Sequence, residues 1–146
     1  MLFMKTLAFI LLIMIGIQFV PFDVPAEVPS KAKDALSAPK EVQAILKRSC
    51  FDCHSNHTTF PWYSSIAPAS WFTKMHVKEG REKMNFSTWS SYDNEKKLKY
   101  LEKIPKAIQK KMPLASYLII HKEAVLSEAD KETLKNWATE AAFDLE

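Results

Sequence analysis

The chain has 146 residues, 47% of them apolar and 25% charged, with a formal net charge of +3 at pH 7. So modest a charge, without a recognition motif, argues against a nucleic-acid partner. Only two glycines occur, Gly16 and Gly80. This excludes the dinucleotide and phosphate loops that need glycine for close backbone approach, and disfavours a turn-rich β-sandwich.

The chain opens MLFMKTLAFILLIMIGIQFVPFDVPAEVPS, and Lys5 is the only charge before Asp23. A positive start followed by an apolar run matches the first two regions of an export signal. From Thr6 the run is about 15 residues, short of the ~20 that span a bilayer. Counted from Leu2 it reaches 19, with Lys5 snorkelling towards the headgroups. Residues 1–21 read as a signal-anchor; the alternative is a signal peptide cut near Val24-Pro25-Ala26. Residues 21 to 39 hold four of the eight prolines, so 22–38 reads as a Pro-rich linker.

Residues 39–146 suffice for one domain with one core, and the pattern is all-α. Pro39 to Ser49 sets Val42, Ile45 and Leu46 at helical spacing. Residues 55 to 67 read as a loop. Pro68 to Arg81 reads as a second helix with Trp71, Phe72, Met75 and His76 inward, stopped by Gly80. A third helix runs from Tyr92 to Lys103 and is interrupted by Pro105, which lacks the amide donor. Leu114 to His121 is short and apolar. Ser127-Glu128-Ala129-Asp130 reads as a capping box before a last helix carrying Leu134, Trp137, Ala138 and Ala141.

Both cysteines lie in RSCFDCHSNH, Arg48 to His57. A disulfide across so short a span would constrain little chain. Zinc needs about four ligands, usually as two separated pairs; Cys50, Cys53, His54 and His57 would be cramped. A thioredoxin-like redox pair would sit beside a strand–helix–strand pattern, and none is visible. C-x-x-C-H is also the attachment sequence of a c-type haem. In that reading Cys50 and Cys53 each add to one vinyl group and His54 is held under the iron. The sixth position falls to Met112, His76 or neither. Met75 and Met84 sit in or near a helix, where core packing is the ordinary role. Met112 precedes Pro113, which holds it extended. His57 is too close to His54 to reach the other face, and His121 reads as a helix-end residue. A Met ligand raises the potential relative to two histidines.

SCFDCHSNHTTFPWYSSIAPASWF, then HVKEGREKMNFSTW, then KKMPLASY, resembles the haem-binding domain family of small bacterial c-type cytochromes. The similarity covers about residues 39 to 143. It implies one covalent haem c with its iron, an exported or tethered domain on the periplasmic side of the inner membrane, and Met112 as sixth ligand. Family members often carry Gly-Glu before the Met-Pro, where this chain has Lys110-Lys111.

The free ring nitrogen of His54 needs a carbonyl acceptor, for which Pro61 and Pro68 are candidates. Haem propionates need donors: Arg81, Trp71, Trp89, Tyr63 and Asn85 are candidates. Seven lysines against three acids between Asp93 and Lys111 suggest a basic rim that steers an acidic redox partner. The expectation is an electron carrier rather than an enzyme. The alternative is a haem-based peroxidase or small-gas sensor with a labile or absent sixth ligand.

Overall fold

The structure is a computed structural model, and it describes residues 2–24 and 30–145. Pro25 and Ala26 of the suggested cut site, and the middle of the linker, lie outside the described residues. Seven α-helices and several 3-10 turns make up the described chain, with no strand among those residues, so the fold is all-α. Helix α1 (Leu2–Gly16) buries no residue. With the 3-10 turn Ile17–Phe19 it forms an 18-residue apolar stretch, long enough to cross a membrane.

Three helices build the main core. Helix α2 (Lys40–Ser49) follows Pro39 and buries Val42, Ile45 and Leu46, the face its periodicity marks. Helix α5 (Asn94–Lys110) buries Leu101, Ile104 and Ile108. Helix α7 (Glu128–Phe143) buries Leu134, Trp137 and Ala138, while Ala141 is only partly buried. Both α2 and α5 pack on α7. The capping box is present: Ser127 Oγ accepts from the Asp130 amide at 3.1 Å, and Asp130 accepts from the Ser127 amide at 2.8 Å. Asp130 also pairs with Arg48 of α2 at 2.8 Å.

Two helix expectations are corrected. Helix α5 does not break at Pro105 but runs through it. An interior proline costs about 3 kcal/mol; burying Ile104 and Ile108 on either side returns about 1.5–3 kcal/mol each. Helix α4 (Ala69–Lys83) runs past Gly80 instead of stopping there. Its buried face is Ser70, Val77 and Gly80, whereas Phe72 and Met75 are exposed. Small residues let neighbouring backbone approach, and a count of bulky apolar residues misses such a face.

Helix α3 (Phe51–His54) is a single turn packed on α4. The loop that follows is pinned by a buried polar cluster. The Asn56 amide donates to Ser87 Oγ at 3.0 Å, and Asn85 Nδ2 donates to Asn56 Oδ1 at 2.8 Å. Such groups are costly to bury unless paired.

Pro105→Ala restores a donor to α5 and is expected to stabilise the fold by about 1–3 kcal/mol; a lowered denaturant midpoint would contradict this. Ser127→Ala should cost about 1 kcal/mol in the same measurement. Burial raises the Asp130 pKa, but the Ser127 amide and hydroxyl and Arg48 outweigh it and hold the carboxyl below its ordinary 3.8. Its contribution is therefore complete above that value and lost as pH falls below it. Asp130→Asn should flatten this acid limb of a stability–pH profile.

Candidate functional site

Helices α3 and α4 and the chain from Met112 to His121 enclose a cavity of about 620 Å³ with a mainly apolar lining. Cys50, Cys53 and His54 lie on it, as do Met112, His76 and His121. The site owes its form to Gly80. A Cβ there would collide with the Cys53 carbonyl oxygen, so α4 meets the C-x-x-C-H turn backbone to backbone. Gly80 has no positive φ; its use is close approach, not conformation.

That approach also orients His54. Its Nδ1 lies 3.0 Å from the Met84 carbonyl oxygen. A carbonyl only accepts, so Nδ1 carries the proton and Nε2 is left with its lone pair. The acceptor is Met84, not Pro61 or Pro68. Burial lowers the His54 pKa below 6.5, outweighing the carbonyls of Met84 and Gly80. The ring is thus a neutral imidazole at pH 7, the form that ligates a metal.

Burial, followed by the neighbouring Cys53, pushes the Cys50 thiol up to about 12. Burial, followed by Asp52, pushes Cys53 up to about 11. Both are protonated at neutral pH, unlike the low-pKa thiolates of redox pairs. No group of three His, Cys, Asp or Glu placed to hold a metal occurs among the described residues, so the zinc alternative finds no ligand set. Ser49 Oγ is the buried side-chain polar atom without a partner among the described residues, and Ser49 also lines the cavity. An apolar chamber with two thiols, a neutral imidazole and a thioether on its walls fits a haem.

Other expected contacts fall elsewhere. Arg81 is outside the cavity lining: Nε donates to the Ser55 carbonyl at 2.9 Å, and a terminal nitrogen donates to Thr58 Oγ1 at 3.0 Å. It braces the loop after His54. Trp71 is also outside the lining and donates its indole N–H to the Val20 carbonyl at 3.2 Å. Asn85 belongs to the buried cluster, and Trp89 packs on Phe86, Tyr92 and Tyr100. Tyr63 does line the cavity. Met75, Met84 and His57 do not, nor do the lysines of α5; Lys83 is the cation on the lining.

Sequence reasoning missed two partners. Tyr117 donates to Asp52 Oδ2 at 2.8 Å, joining helix α6 (Ala115–Leu118) to one of the two residues between the cysteines. His121 stacks on Tyr117 with ring centroids 4.2 Å apart. Its Nε2 meets Tyr63 Oη at 2.7 Å and its Nδ1 meets Glu123 at 3.0 Å. Both ring nitrogens are engaged, whereas among the described residues His76 uses only Nδ1, on the Phe72 carbonyl. Burial first, then the bond to Asp52, raises the Tyr117 pKa, so the phenol keeps its proton. The spacing of Tyr117 after Met112-Pro113 was the available signal.

Gly80→Ala must displace backbone rather than a flexible side chain. It is expected to cost about 1–3 kcal/mol and to lower the haem content per chain. Wild-type haem content and stability together would contradict the close-approach account.

A family model described as a haem-binding domain matches residues 12–140. No curated protein and no solved structure matches the chain. The matched span contains the whole C-x-x-C-H turn, helix α4 and the Met112 loop. Through that match and the cavity it encloses, the chain belongs to the haem-binding domain family.

Proposed function

We infer that this haem-binding protein is a mono-haem electron carrier of the c type, with His54 and Met112 as axial ligands. The observation that carries the reading is one apolar cavity shared by both thiols, a neutral imidazole of defined tautomer and the Met112 thioether. Cys50 and Cys53 would hold the porphyrin as thioethers, and bound iron would supply one-electron redox chemistry. The chain's own part is to hold and shield. Met84 fixes the His54 ring, Gly80 admits the C-x-x-C-H turn, and Asp52 holds the Met112 segment through Tyr117. The lysines of α5 are proposed to attract an acidic redox partner at longer range.

Retention of α1 as an anchor on the periplasmic side is part of the proposal. Gln18 and Val20 make hydrogen bonds to the domain at Ala67 and Trp71. A cut near Ala26 would remove both residues, which supports an anchor over a cleaved signal.

A second reading is peroxidase or small-gas chemistry at a labile sixth position. His121, which lines the same cavity with Tyr63 and pairs through its other ring nitrogen with Glu123, favours it as a hydrogen-bonding group in the chamber.

Protein matured in a host able to attach haem c should show a low-spin haem spectrum and the mass of the chain plus one haem. Cys50→Ala with Cys53→Ala should abolish covalent haem. Met112→Ala should give a high-spin ferric spectrum, a lower potential and faster carbon monoxide binding. An unchanged spectrum would remove Met112 from the iron. Rapid carbon monoxide binding by the unaltered reduced protein would favour the second reading.

A further inference from the structure

Gln18, at the end of the apolar N-terminal stretch, holds the buried Ala67 by both ends of its amide. Gln18 Oε1 accepts from the Ala67 N–H at 3.0 Å, and Gln18 Nε2 donates to the Ala67 carbonyl at 3.1 Å. The same nitrogen donates to the Met14 carbonyl at 2.9 Å, so the clamp is joined to α1 itself. Trp71 adds a third bond, to Val20. The end of the membrane-length helix is thus hydrogen-bonded directly to the haem domain, although the linker separates the two in the chain.

This has a geometric consequence. An 18-residue stretch from Leu2 to Phe19 spans about 27 Å, close to the hydrocarbon thickness, so its end lies at the bilayer surface. Whatever is hydrogen-bonded to Gln18 lies there too. Around Ala67 the domain presents apolar side chains to solvent away from the cavity: Ile66 is 48% exposed, and Phe19, next to Gln18, 81%. Exposed large apolar side chains at the level where a helix leaves the membrane are what the interfacial layer accommodates. Isolated exposed apolar residues need no explanation, but apolar side chains fastened at a membrane exit do.

We propose that the ridge at Ile66, beside Ala67, is a second membrane-contact surface, seated in the headgroup layer of the bilayer that holds α1, with Gln18 setting its orientation. The proposal rests on the anchored reading of α1. Trp62 and Phe72, a few residues to either side of this ridge in the chain, line the cavity, so the contact brings one lip of the haem chamber towards the membrane plane. Ile66 lies outside the cavity lining, which makes it a reporter that haem does not cover.

The test uses full-length holoprotein in vesicles of phosphatidylcholine and phosphatidylglycerol. Ile66→Cys, and Lys103→Cys on α5 as control, each carry an environment-sensitive fluorophore. The Ile66→Cys label is expected to emit at shorter wavelength and to be quenched by brominated acyl chains, while the Lys103→Cys label emits as in water. Gln18→Ala should return the Ile66→Cys label towards water-like emission, with flotation of the protein on vesicles and its haem absorption unchanged. A water-like Ile66→Cys label on protein that floats with vesicles overturns the ridge and leaves the anchor standing. Shorter-wavelength emission without bromine quenching means a second copy covers Ile66, and also overturns it. A label that stays buried in Gln18→Ala overturns the clamp. Protein that does not float, or whose mass lacks the first residues, overturns the anchor and the ridge together.

Discussion

The cavity proposed to hold haem depends on the backbone contact between Gly80 and Cys53. A four-residue helical turn cannot hold itself in place, because a helix this short has almost no stability of its own. Helix α3 is held by α4, and α4 can come near enough only where no side chain intervenes. From that approach follow the bond from His54 to Met84, the tautomer of the imidazole and the exposure of both thiols to one cavity. The glycine acts through absence of volume, in the middle of a regular helix.

Polar groups complete what that contact begins. Asn56, Asn85 and Ser87 form a buried cluster, Arg81 bridges Ser55 and Thr58, and Tyr117 reaches Asp52. None of these needs to touch a cofactor to matter. Each fixes the path of the chain around His54 or ties the Met112 segment to it. Buried polar groups specify one arrangement because any alternative leaves them unpaired. The Asn, Ser and Arg residues around the C-x-x-C-H turn therefore serve as scaffolding.

The molecule divides its labour. The core of α2, α5 and α7 is conventional apolar packing with capped helices. The cavity lies between α3, α4 and the Met112–His121 chain, on the edge of that core. Ser49 and Cys50, at the end of α2, join the two regions. The apolar core and the cavity wall are thereby built largely from different residues.

Much was legible in the chain alone, because it rests on short-range signals. The C-x-x-C-H spacing, the helical period of α2, the capping box of α7 and the apolar length of α1 are each contained within a few turns of chain. The family resemblance was likewise written in consecutive residues. What tertiary structure decided were the roles that depend on segments far apart meeting. Gly80 proved to be a contact point inside a helix, Met84 rather than a proline carbonyl holds His54, and Arg81 and Trp71 spend their donors on backbone or a neighbouring hydroxyl. Pro105 stayed within a helix because burial on both its sides outweighs one missing hydrogen bond. A polar side chain declares that it needs a partner, but only the folded chain determines which partner is within reach.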